Sequence, residues 1–194
     1  MKTKIFLLIF SAVVSITNVH SQNDTAIRHL EFMGVPITGK VSDFSRKLQT
    51  KGFERMSKDN DGFLTGQFTG KESVIMMLET PKSKQVYTIS VFLKDEFKTW
   101  ETLKDEYNKY KTKLTKKYGI PDSRELFEDP YYEGDGYEMQ ALRMGKCLYM
   151  SKFETLAGDI ILAMAEQKIV ILYQDKRGCI INEAEENDRD LDEL

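Results

Sequence analysis

The clearest periodicity in the chain lies between Glu96 and Tyr118. Phe97, Trp100, Leu103, Tyr107, Tyr110, Leu114 and Tyr118 recur at intervals of 3, 3, 4, 3, 4 and 4 residues, which lays an apolar stripe along one side of an α-helix. Asp95 stands where a cap belongs, and Gly119 followed by Pro121 ends the pattern. A shorter helix is expected over Ser42 to Lys51, with Ser42 as N-cap, Asp43 at the positive end of the dipole, and Phe44 and Leu48 on one face before Gly52. Lys109, Lys111, Lys113, Lys116 and Lys117 crowd the C-terminal half of the long helix. Cations there suit the helix dipole, so they read as solvated rather than as a binding face.

The remaining apolar segments read as strands. Phe63 to Phe68, Val74 to Leu78 and Val86 to Leu93 follow the first helix, and Cys147 to Phe153, Ile160 to Ala165 and Ile169 to Tyr173 follow the second. They are short, β-branched and aromatic, and turn residues separate them. Connections this tight permit hairpins and no helical crossovers, so the sheet is expected to be antiparallel. Tyr87, Ile89, Val91 and Leu93 share one face of their strand, with Thr88 and Ser90 on the other. That alternation suits a sheet covered on one side by helices. The expected fold is α+β: a largely antiparallel sheet with two helices packed on one face, in a tandem α-β(3-4) arrangement. The halves, 40–94 and 96–175, share a faint signature. Phe44-x-x-Lys47-Leu48 closing on Lys51-Gly52 aligns with Tyr110-x-x-Lys113-Leu114 closing on Tyr118-Gly119, which fits either an internal duplication or the general grammar of helices that end in glycine.

The segment Phe32-Met33-Gly34-Val35-Pro36-Ile37-Thr38-Gly39, continuing through Phe44 and Leu48 to Lys51-Gly52-Phe53, resembles the opening of uncharacterised exported proteins of Bacteroidetes-type bacteria. The helix-then-meander order, taken twice, resembles the beta-lactamase-inhibitor-like architecture, in which two such units form a continuous sheet. Neither likeness supplies a catalytic residue, and an arrangement alone does not carry a function.

The termini change the picture. Lys2 and Lys4, the apolar run Ile5 to Val14 and the small residue at Ser21 make residues 1–21 a secretory signal peptide, cut between Ser21 and Gln22. The run is about half the roughly 20 residues that span a bilayer, so no stable membrane insertion is expected after cleavage. The mature body is 22–182. Residues 183–194 hold seven acids against Arg189 and read as a disordered acidic tail. The net charge of −3 is thus concentrated in the tail, and a nearly neutral exported body argues against nucleic-acid binding.

Candidate chemistry is sparse. Of the two histidines, His20 falls in the expected leader and His29 reads as a surface or edge-strand residue. That leaves little room for histidine triads or metalloprotease motifs, and no cofactor and no metal site is implied. Asp59-Asn60-Asp61-Gly62 resembles a calcium loop but lacks the later glutamate, so it reads as a turn. The methionines among strand residues read as core filling. Cys147 and Cys179 are expected to stay unbonded, because a meander places them at opposite ends of the sheet, on the order of 25 Å apart by strand rise. The most suggestive stretch is Asp129 to Glu138, where Tyr131, Tyr132, Glu133, Asp135 and Tyr137 combine flat amphipathic rings with carboxylates. A surface loop whose tyrosines cover the sheet edge competes with a binding loop. Asp129 and Glu133 as a glycosidase acid and base would need one raised pKa.

Three readings follow: a non-enzymatic envelope binding module whose partner is an envelope protein or glycan, a carboxylate-dependent hydrolase acting on carbohydrate, and a structural envelope component. Periplasm or extracellular space is the expected location. The firmest expectation is export with removal of residues 1–21. The intact mass of protein from the envelope or medium should match a chain that begins at Gln22, and recovery of the full-length chain from the cytoplasm would overturn it.

Overall fold

The computed structural model describes residues 28–192; the expected leader lies outside them. A two-stranded hairpin, β1 (Glu31–Phe32) with β2 (Val35–Pro36), precedes helix α1 (Val41–Gln49). Four strands follow: β3 (Glu54–Arg55), β4 (Phe63–Phe68), β5 (Lys71–Glu79) and β6 (Val86–Leu93). The second half repeats this order with α2 (Trp100–Tyr118), β7 (Asp122–Phe127), β8 (Cys147–Glu154), β9 (Gly158–Ala165) and β10 (Lys168–Asp175), plus a short α3 (Glu138–Arg143) between β7 and β8. Helix α4 (Lys176–Asp192) follows β10. The eight longer-range strands form one antiparallel sheet in the order β3-β4-β5-β6-β10-β9-β8-β7. Each half is therefore a helix followed by a four-stranded meander, and the last strand of each meander pairs with that of the other. The fold is α+β, as the hydrophobic pattern implies.

Register decides which residues meet the helices. Ile75, Val91, Ile171 and Leu162 lie across from one another on β5, β6, β10 and β9, and all four are buried in a core shared with Phe44 and Leu48 of α1 and Leu103, Tyr107 and Leu114 of α2. Phe44 and Leu48 occupy the same helical positions as Tyr110 and Leu114, and both helices run out into a positive-φ glycine, Gly52 or Gly119. Burying a side chain of this size contributes roughly 1.5–3 kcal/mol. The opposite face is also apolar, with Met150, Ile161, Ala163, Val170 and Leu172 buried as a second cluster. Thr88 and Ser90, expected to mark a polar face, are themselves buried.

Boundaries move where caps and edge strands decide them. Helix α2 starts at Trp100, not Glu96, because the Thr99 hydroxyl accepts from the Thr102 N–H. The preceding residues are tied elsewhere: the Phe97 N–H donates to Gln167 and Lys168 pairs with Glu96. Helix α1 starts at Val41, with Lys40 in the cap position and Ser42 inside the first turn. Residues 183–192, expected as a disordered tail, lie within α4. Its Glu185 carboxylate accepts the backbone N–H groups of Lys82 and Ser83 at the β5–β6 turn.

Asp175 fixes the start of α4. It is fully buried at the end of β10 and accepts the Gly178 N–H at 2.9 Å, as an N-cap does. It also accepts the Leu30 N–H at 2.7 Å and Nδ1 of His29 at 3.0 Å. His29 is thus an anchor of the N-terminal segment rather than a free surface residue. Opposite Asp175, Gly158 passes so close that an added Cβ would lie 2.0 Å from the Gln174 carbonyl, so only glycine fits. Cys147 lies toward the β9–β10 turn and Cys179 beyond the other end of β10. Both are free thiols whose pKa burial pushes up to about 12.

Replacing Asp175 by Ala removes a cap and leaves the buried Leu30 N–H without an acceptor, a combined loss of about 3 kcal/mol. Urea unfolding should show the midpoint falling accordingly. A loss below about 1 kcal/mol would mean that the three bonds do not act together.

Candidate functional site

The segment between β7 and α3 is held by its own carboxylates. One Asp135 oxygen accepts the Tyr132 N–H at 3.1 Å and the other the Tyr137 N–H at 2.7 Å, closing the loop across Gly134 and Gly136. Glu138, buried at the start of α3, accepts the Gly134 N–H at 2.7 Å. Glu133 reaches the first turns of α2, where it accepts from Lys104, from the Trp100 indole at 3.5 Å and from the Tyr149 hydroxyl at 3.3 Å. Beneath it Trp100 meets Tyr149 edge-on at 4.9 Å and Phe127 at 5.5 Å. The loop is therefore seated on an aromatic cluster contributed by α2, β7 and β8.

The five residues singled out from sequence divide by role. Tyr131 packs against the core, and its hydroxyl donates to the Met144 sulfur and accepts from Gln140, each at 3.2 Å. Asp135 and Glu133 brace the loop. Tyr132 and Tyr137, 64% and 60% exposed, are left projecting from the braced turn. The hydrogen bond from Lys104 holds the Glu133 carboxyl below its usual range, the opposite of the shift that a general acid needs. Burial, reinforced by Glu133, raises the Tyr149 phenol, which keeps it a donor.

A cavity not foreseen from sequence lies at the other end of α2. It measures about 270 Å³ and opens between the C-terminal half of that helix, the β1–β2 turn and the sheet. Phe68, Leu114 and Ile171 give it apolar walls, and Tyr110, Tyr118 and Tyr173 add three phenols. The Tyr110 hydroxyl bonds the Thr69 hydroxyl at 2.6 Å. Tyr173 is buried, edge-on to Phe32 at 5.1 Å, and burial raises its pKa with a contribution from Tyr118 and Tyr110. The stripe of helical period contained Tyr110 and Tyr118, but a stripe does not distinguish a filled interface from one with a gap.

The Asp59–Gly62 segment is a turn, as expected. The Asn60 side chain accepts the Gly62 N–H at 2.8 Å, and Asp61 pairs with Arg55 at 3.0 Å. Among the described residues no three metal-ligating side chains converge, and no helix is long and apolar enough to cross a membrane. No protein-family model matches the chain, and neither the curated proteins nor the solved structures contain a match.

The Glu133 brace has a pH signature. A lowered carboxylate pKa contributes stability that is present above the ordinary value of 4.5 and is lost as pH falls through the lower folded value. Because Glu133 is nearly half exposed, solvent limits the gain to about 0.5 kcal/mol. Glu133→Gln should lower the urea midpoint slightly at pH 7 and leave little difference from wild type well below pH 4.5. An equal difference at both pH values would show that the charge contributes nothing.

Proposed function

We propose that the protein is an exported binding module of the bacterial envelope, without enzymatic activity, which presents the 131–137 loop to an envelope protein or glycan. One observation carries this reading: the loop's carboxylates are spent on bracing the turn, while Tyr132 and Tyr137 project from it. Rigid tyrosines supply large amphipathic contact area at small entropic cost, and a turn ordered before binding does not have to be ordered by it. The seat on Trp100, Phe127 and Tyr149 supports the same reading, because it ties the turn to α2 and to the sheet rather than leaving it as a free connector. Export and an envelope location rest on the N-terminal pattern and on the likeness of Phe32 to Phe53 to exported Bacteroidetes-type proteins.

Tagged protein used as bait in envelope extract should retain a partner. The double variant Tyr132→Ala/Tyr137→Ala should then weaken binding of that partner at least tenfold, as expected where aromatic anchors each contribute about 2 kcal/mol or more. Its melting curve should match wild type, since both rings are exposed. Unchanged affinity in this variant would make the loop a connector.

A further inference from the structure

The cavity beside the C-terminal half of α2 has walls of one kind and a mouth of another. Phe68 and Leu114 form an apolar interior, and Lys113 and Lys117, four residues apart on α2, stand at its opening. Ten other lysines, among them Lys104, Lys109 and Lys111 of the same helix, pair with carboxylates. Lys113 and Lys117, like Lys116 between them, do not pair with any described carboxylate; what separates these two from Lys116 is that they line the cavity. Their ammonium groups rest over the rings of Tyr110 and Tyr118, at 5.2 and 4.8 Å from the centroids. Glu31 lies at the same opening and forms no ion pair with either lysine. Tyr118 and Tyr173 also line the cavity.

Apart from the Glu31 carboxylate, donors dominate this polar set. Two ammonium groups offer N–H donors only, and a phenol hydroxyl can donate as well as accept. The complementary group is an oxyanion, and a carboxylate, with two acceptor oxygens, satisfies several such donors at once. The cation–π contacts that these exposed lysines make now are worth about 0.5–1 kcal/mol and do not neutralise their charge. The interior determines the rest of the ligand. At the packing density of protein interiors, about 0.74, 270 Å³ accommodates roughly 200 Å³ of ligand atoms, the scale of decanoate or a naphthalene carboxylate.

We infer that this cavity binds a small amphipathic carboxylate, with its acyl or aryl body against Phe68 and Leu114 and its carboxylate held by Lys113 and Lys117. The site does not depend on the loop reading. Lys104, which meets the loop, and Lys117 lie about 20 Å apart along α2 by helix rise.

Calorimetric titration of the purified protein with decanoate below its micellar concentration, and separately with 2-naphthoate, tests the inference. Saturation by at least one of them at one molecule per chain is expected; tighter binding of decanoate would assign an acyl ligand and tighter binding of naphthoate an aryl one. Decyltrimethylammonium, with the same chain and the opposite charge, should bind at least tenfold more weakly. The double variant Lys113→Gln/Lys117→Gln replaces two exposed side chains and should weaken carboxylate binding at least tenfold while keeping the wild-type melting curve. Bound decanoate should shift the ring resonances of Tyr110, Tyr118 and Tyr173. Failure of both carboxylates to saturate, equal binding of the cation, unchanged affinity in the lysine variant, or shifts confined to Tyr132 and Tyr137 would each overturn the assignment.

Discussion

Five register pairs between β6 and β10, from Phe92 opposite Val170 to Thr88 opposite Gln174, join two four-stranded meanders into one sheet. Without that ladder each half would present an apolar central strand as an open edge, a template for pairing with other chains. With it, the most apolar strands lie in the middle, and the polar β3 and β7 take the outer positions. The join also makes the core continuous: side chains of both helices meet one face whose rows run from β5 through β6 and β10 to β9. Asp175 then closes the lower end of the central strand. Its carboxylate gathers the N-terminal segment and the first turn of α4 at the place where β10 stops.

Helix α2 inherits a double duty from this arrangement. Its Trp100, Leu103, Tyr107, Tyr110 and Leu114 are buried against the sheet, and Tyr107 is locked by a 2.6 Å bond to Ser151. The helix is thereby held along its length, and the braced loop and the cavity form at its two ends. At the N-terminal end, Trp100 and Lys104 hold Glu133 and so the tyrosine loop. At the C-terminal end, Tyr110 and Tyr118 stand apart from Phe68 and Tyr173 and leave a gap. Large aromatic side chains bury much area, but their shape makes close-packed filling harder than with aliphatic ones.

The parts legible in the sequence are those with a strong period. The α2 stripe follows from apolar spacing, because burial on one face requires it, and the six central strands and tandem order follow from short β-branched and aromatic runs bounded by turn residues. Asp122–Phe127 was not legible as a strand, since an edge strand exposed over most of its length needs no alternation. Helix α4 was not legible either. Its inward side is Gly178, Cys179 and Asn182, and its hold on the fold is the Asp175 cap and the Glu185 clasp on the β5–β6 turn, none of which has a hydrophobic signature. Composition marked Glu185 as one acid in a solvated run, whereas a pair of backbone N–H groups more than a hundred residues earlier in the chain gives it a fixed position.

The same limit applies to the sites. The sequence located the Tyr131–Tyr137 loop by its unusual density of tyrosines and acids, yet could not divide those residues between bracing and presentation. That division depends on which carboxylate meets a backbone N–H, a matter of ångströms settled by the turn itself. For the lysines of α2 the difficulty is reversed. Lys109, Lys111, Lys113 and Lys117 are chemically equivalent in sequence, and only the neighbours that the fold supplies separate them: Glu106 and Glu125 take the first two, and tyrosine rings beside an apolar gap take the others. A charge that the protein does not neutralise, beside apolar surface that it does not fill, is a pair of unmet demands in one place, and a single amphipathic anion meets both.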